Sequence, residues 1–224
     1  MEYISTRNKK KIFSFQDVFL KGLAPDGGLF IPKEIPSYTY QELINFKSLS
    51  YNELATKIIL NFCGDEFNQR EIQEIVNNSY KDFRKKNVVE IKKLENLNLL
   101  ELFHGPTLAF KDIAMQVIGN MYEKILKKKN SNINIVVATS GDTGAAAINA
   151  IKNRSNMKIF VLHPENKITD VQRKFMTTVN SKNVFNIAIA SNFDQCQNFV
   201  KLMFADKKFS SSINMSGVNS INWA

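Results

Sequence analysis

From Val89 onward, short apolar runs alternate with stretches of helical periodicity. Leu97–Phe103, Ile133–Ala138, Met157–His163 and Val184–Ala190 predict strands; Leu108–Lys128, Thr143–Asn153, Thr169–Val179 and Phe193–Lys207 predict the helices that follow them. In the first of these helices Ile113, Val117, Met121 and Ile125 recur at helical spacing, with Ala114, Ile118 and Tyr122 beside them. The face running Phe110, Ala114, Val117, Met121 is expected in the core. Strand–helix alternation with apolar strands predicts an α/β fold, a parallel sheet with helices on both faces. Ligands of such sheets bind beyond the carboxyl ends of the strands, so the loops after Phe103 and Ala138 are expected to share a site. Before Val89 the pattern is mixed and helix-leaning. Phe15–Leu20 after Ser14, Ser50–Phe62 and Phe67–Phe83 read as helices, with turns at Ala24–Gly28 and Gly64-Asp65. The change of pattern divides the chain into a small helix-rich domain, 1–88, and an α/β domain, 89–224.

Both loops carry candidate chemistry. The first runs Phe103-His104-Gly105-Pro106-Thr107-Leu108-Ala109-Phe110-Lys111-Asp112, with Thr107 or the Gly-Pro before it opening the helix. Lys111 then sits near the positive end of the helix dipole, where a cation is disfavoured by a few tenths to ~1 kcal/mol. Burial pushes the same way, towards a neutral amine, which is the nucleophile of Schiff-base chemistry. The alternative is a solvated surface lysine neutralised by Asp112. The second loop, Ala138-Thr139-Ser140-Gly141-Asp142-Thr143-Gly144, joins an apolar strand to an alanine-rich helix. Its glycines allow close approach of a ligand, its helix start offers amide donors to an anion, and Thr139, Ser140 and Thr143 add hydroxyls. The spacing fits neither a Walker A loop nor a dinucleotide fingerprint. As pure structure it is a capped turn with glycines for tight packing.

Together the two loops resemble those of threonine synthase, a pyridoxal-phosphate enzyme family of fold type II. HGPTLAFKD is similar to the segment holding that family's cofactor lysine, and TSGDTG to its substrate-carboxylate loop. The resemblance begins at Tyr3-Ile4-Ser5-Thr6-Arg7 and runs through Gly22–Pro32, Asp170–Arg173, Met176–Thr178, Phe193–Gln197 and Ser216–Asn222. It implies conversion of O-phospho-L-homoserine and water into L-threonine and phosphate, the last step of threonine biosynthesis. It implies that Lys111 is catalytic and carries pyridoxal 5'-phosphate as a Schiff base, with Asp142 also on the cofactor side. Ser140, Gly141, Thr143 and Gly144 would bind the substrate carboxylate. Arg7 and Arg173 are candidates for the substrate phosphate, His104 is expected to cap its loop, and Ser216–Ile221 is expected near the cofactor. Members of the family are longer and carry a later S-G-N-F-G-type loop for the cofactor phosphate. The chain has no such loop, so it resembles the amino-terminal part of the enzyme, with the carboxyl-terminal part of the fold missing. Two other readings use the same residues: a related phospho-lyase of the superfamily, or an inactive truncated homologue acting as an interaction module.

Composition narrows the classes further. The net charge is +9, yet 25 of the 30 basic residues are lysines, and arginine is the better phosphate reader. The cluster Lys127-Lys128-Lys129 ends a helix, where lysines complement the dipole. Nucleic acid is therefore not an expected partner, and a small-molecule substrate is. No apolar run approaches the ~18 residues of a membrane span. The N-terminus lacks a secretory pattern, which points to the cytoplasm. Cys63 and Cys196 have no metal spacing, so reduced thiols and no metal site are expected. His163, before Pro164, is expected in a turn or the core. An oligomer remains open.

Overall fold

A computed structural model describes residues 1–217. The amino-terminal part contains β1 (Tyr3–Ser5), β2 (Ile12–Phe13), α1 (Phe15–Lys21), β3 (Phe30–Pro32), α2 (Tyr40–Phe46), α3 (Tyr51–Cys63) and α4 (Gln69–Tyr80). A hairpin of β4 (Glu90–Leu94) and β5 (Leu97–Glu101) leads to α5 (Lys111–Lys129). There follow β6 (Ile133–Ala138), α6 (Asp142–Ile151), β7 (Met157–Pro164), α7 (Asp170–Thr177), β8 (Val184–Ile189), α8 (Phe193–Ala205), α9 (Lys207–Ser212) and β9 (Met215–Ser216). The expectation for Ser216–Ile221 falls mostly outside the described residues.

The expected parallel sheet is present, in the order β8-β7-β6-β9. Ile133 to Ala138 pair in parallel with Met157 to Leu162, and Ile159 to Pro164 with Val184 to Ile189. Alternation of side chains then sorts the strands onto two faces. Ile135, Val137, Ile159 and Val161 join the main core beneath α5 and α6, whereas Val136 and Leu162 pack with Cys196 of α8. Burial on both faces explains why β6 and β7 read as near-continuous apolar runs, interrupted at Asn134 and Lys158.

The strand expected at Leu97–Phe103 is not part of this sheet. β5 stops at Glu101 and, among the described residues, pairs only with β4, antiparallel, with Ile91 opposite Leu100 and Leu94 opposite Leu97. The cause is local: Glu95, at φ 42°, and Asn96 close a tight turn that returns the chain at once. The three-stranded sheet β2-β1-β3 also lay outside the helix-leaning expectation, because its strands are too short to show a period. Helix α2 had a visible signal. Thr39 and Glu42 form a capping box, as Ser50 with Glu53 and Asn68 with Glu71 do for α3 and α4.

What positions the two loops is the packing of α5 on α6. Gln116 donates to Asn149 at 3.0 Å, Gly119 lies against Ala150, and Arg154 reaches Asn120 at 3.1 Å and pairs with Glu123. These contacts advance together along both helices, so the helices run parallel and both begin at the same end. Gly119 is what allows the approach, since a Cβ there would stand 2.7 Å from the Ala150 carbonyl oxygen. Gly119→Val is expected to lower stability in urea unfolding by ~1–3 kcal/mol, the usual cost of overpacking. An unchanged midpoint would contradict this packing.

Candidate active site

The loop between β5 and α5 is built from tight turns. Leu108 donates its amide to Gly105 at 3.2 Å, Asp112 to Ala109 at 3.0 Å and Ile113 to Phe110 at 3.2 Å. Leu108 sits at φ 61°, a left-handed conformation that costs a branched side chain energy and that surrounding contacts must hold. The brace is Asp112. Its carboxylate is fully buried and accepts from the Thr107 amide and the Thr107 hydroxyl, both at 2.7 Å. The helix therefore starts at Lys111, later than expected, because Thr107 is bound to Asp112 rather than capping the helix.

This geometry bears directly on Lys111. Asp112 is committed to Thr107, so it does not neutralise the neighbouring lysine. The Lys111 Nζ lies 4.4 Å from the centroid of the Phe110 ring. Among the described residues it has no hydrogen-bond acceptor and no carboxylate partner. Phe110 is 51% exposed, which corrects its assignment to the core face; Val117 and Met121 are buried as expected. His104 is buried with Nε2 3.0 Å from Glu101 Oε2, and its carbonyl accepts from the Arg84 amide at 2.9 Å, so it anchors the start of the loop. The role of Glu101 was not foreseen; its placement ahead of His104 was visible, but the pairing depends on where β5 ends.

In the second loop Thr139 is the organiser. It is buried, and its Oγ1 accepts from the amides of Gly141 at 3.0 Å and Gly144 at 2.9 Å. This differs from the expected ligand-facing hydroxyl. Gly141, at φ 143°, is covered by the Gln172 side chain of α7, whose Nε2 donates to Asp142 Oδ1 at 2.9 Å. Gly144 is hemmed in by Thr139, Met176 and Val161. The donors left without an acceptor among the described residues are the amides of Ser140, Asp142 and Thr143, at the positive end of α6. Ser140 is exposed and Thr143 half-buried, so their hydroxyls remain accessible.

The two loops lie close enough for Asp142 to help raise the Asp112 carboxyl above its ordinary value. Burial is the larger cause, and both outweigh the hydrogen bonds from Thr107 and Ala109 that act the other way. Among the described residues Arg7 and Arg173 make no hydrogen bond or ion pair to this cluster: Arg7 donates to the Asp26 carbonyl at 3.1 Å, and Arg173 pairs with Asp170 at 3.3 Å. Cys63 and Cys196 are buried free thiols, and burial pushes Cys63 up to about 12. His163 is buried at the end of β7, with Nδ1 unpaired among the described residues. No helix among the described residues is long and apolar enough to cross a membrane.

Comparison with known proteins agrees over the whole chain. A family model described as the threonine synthase N terminus matches residues 2–80. The chain is 43% identical to a threonine synthase of Pseudomonas aeruginosa, all of it aligning with 48% of that protein. It is 42% identical to one of Schizosaccharomyces pombe, all of it aligning with 46% of that protein. The solved structure of a PLP-bound threonine synthase from Brucella melitensis matches at TM-score 0.93 and 43% identity, over all of this chain and 48% of that one. The chain thus spans about half the length of the curated relatives it matches.

Two substitutions test the braces. Thr139→Val strands two buried amides and is expected to cost ~2–4 kcal/mol, while Thr139→Ser, which keeps the acceptor, costs less than half as much; equal losses would contradict the role given to Oγ1. The folded protein holds the Asp112 proton more tightly than the unfolded chain, whose ordinary value is 3.8. Its contribution to stability is therefore present at low pH and is lost as pH rises through the raised value. Asp112→Asn has no such dependence, so its stability relative to the parent should improve as pH rises from about 3 to 7. A pH-independent difference would contradict the burial account.

Proposed function

Because the chain belongs, over its whole length, with the amino-terminal half of the threonine synthases, we propose that it supplies the lysine and carboxylate loops of such an enzyme. The reaction is conversion of O-phospho-L-homoserine and water into L-threonine and phosphate, with pyridoxal 5'-phosphate as cofactor. The observation that carries this is the amine of Lys111, without an ion pair among the described residues, at the start of α5, which packs parallel to α6 so that the open donors of α6 lie at the same end. Residues 1–88 form the amino-terminal domain and 89–224 the first part of the catalytic domain.

These residues fit the cofactor's aldehyde end: a lysine without an ion pair, half-buried against Phe110, can hold it through Nζ. When bound, the group supplies an electron sink for carbanions next to the substrate's amino nitrogen. With the cofactor in place, the Lys111 Nζ would be the group that takes and returns protons at the substrate's alpha and beta carbons. Ser140 and Thr143 bind the substrate carboxylate through amides and hydroxyls, aided by the positive end of α6. Gly141 and Gly144 give the loop its shape, their amides being held by Thr139. Asp142, steadied by Gln172, forms the polar wall on the cofactor side.

Incubation with pyridoxal phosphate, borohydride reduction and peptide mass spectrometry should give a pyridoxyl adduct on Lys111. An adduct spread over surface lysines, unchanged in Lys111→Ala, would sink the assignment. In a chain extended to the length of its relatives, Lys111→Ala should lower threonine formation by at least ~10²–10⁴-fold. Release of a 2-oxo acid and ammonia in place of threonine would assign the related phospho-lyase activity.

A further inference from the structure

Asp142 stands in the first turn of α6 among amides without an acceptor, yet it bonds none of them. A carboxylate at that place is drawn to the free amides and to the positive end of the dipole. Among the described residues the amides of Ser140, Asp142 and Thr143 nevertheless stay open, and the Asp142 carboxylate accepts one hydrogen bond, from Gln172 Nε2 to Oδ1 at 2.9 Å. The direction of the Gln172 amide is set within α7. Thr169, the N-cap of that helix, donates its hydroxyl to Gln172 Oε1 at 3.0 Å and accepts the Gln172 backbone amide at 3.3 Å. With Oε1 occupied, Gln172 turns Nε2 towards Asp142. The helix is anchored as well: Asn186 of β8 donates to the Met176 carbonyl at 3.1 Å, and Met176 is fully buried against Gly144. The body of the Gln172 side chain lies on Gly141, where a Cβ would stand 2.5 Å from Cδ. Its stem covers the loop while its amide holds the carboxylate.

We propose that Gln172 is a positioning residue that keeps Asp142 off the start of α6, so that the amides of Ser140, Asp142 and Thr143 stay open to a ligand carboxylate. One helix start serves one anion. Asp142, once released, swings onto these donors, and an incoming carboxylate then meets both an occupied site and a like charge. Held aside by Gln172, the same residue leaves the donors free and keeps Oδ2 available. A neutral amide does this without setting a competing cation beside the site. This role rests on the proposed function, in which the start of α6 receives the substrate carboxylate.

The test is an acetate titration of isotope-labelled protein, followed at the amides of Ser140 and Thr143. Gln172→Met keeps an aliphatic cover over Gly141 and removes the donor, and Asp142→Asn removes the competing charge. Gln172 is half-buried and Asp142 exposed, so neither change opens the core. Gln172→Met is expected to weaken acetate binding roughly fivefold or more in the parent, the scale of a charge at a helix start, and less than about twofold in the Asp142→Asn background. Without acetate, the same amides should exchange with water roughly threefold more slowly in Gln172→Met than in the parent, because the released carboxylate covers them. In the double variant they should exchange no more slowly than in Asp142→Asn alone. Equal losses of acetate binding in the two backgrounds would make Gln172 a mere cover for the loop and overturn the proposal. Unchanged exchange in Gln172→Met would overturn it too. A parent that binds no acetate counts against the carboxylate site itself, while the exchange rates still decide whether Gln172 restrains Asp142.

Discussion

The parallel packing of α5 against α6 is the constraint on which the rest depends. Each helix follows a loop that would be unremarked alone. Gln116 on Asn149, Gly119 on Ala150 and Asn120 with Glu123 on Arg154 fix the two helices side by side and in the same direction. Two helix starts then lie at the same end, each with a positive dipole end, and that of α6 has amides without an acceptor among the described residues. An anionic ligand with a carbonyl group would meet the donors of one helix and the amine on the other.

Each loop also separates its bracing groups from its available ones. Asp112 and Thr107 satisfy each other inside the protein, as Thr139 does for Gly141 and Gly144. A buried carboxylate or amide left unpaired would cost more than such a bond contributes, so these braces hold the unusual backbone at Leu108 and Gly141. Among the described residues the side chains of Lys111, Ser140 and Thr143 are left without a hydrogen-bond partner. A site that must bind, release and move protons needs its working groups free and its supporting groups occupied.

Much of this was legible in the sequence because it rests on local pattern. Apolar strands such as Ile133–Ala138 and the periodic face of α5 predict a doubly covered parallel sheet, and the loops between them carry recognisable residues. What was not legible depends on distant contacts. The turn at Glu95-Asn96 takes β5 out of the parallel sheet, and only pairing with β4 reveals it. Phe110 keeps helical spacing with Val117 yet is exposed, because it precedes the first turn of the helix. The commitment of Asp112 to Thr107 rather than to Lys111 is set by side-chain direction, which spacing does not encode. Gln172 reaches Gly141 and Asp142 only because α7 crosses the start of α6.

The central claim is that Lys111 and the start of α6 form one site. The most direct measurement is an amide chemical-shift map of isotope-labelled protein before and after borohydride fixation of pyridoxal phosphate on Lys111. The account predicts that the amides of Ser140, Asp142 and Thr143 shift along with that of Leu108, while those of α9 stay in place. Modification of Lys111 that moves its own loop and leaves Ser140 to Gly144 unchanged would contradict it.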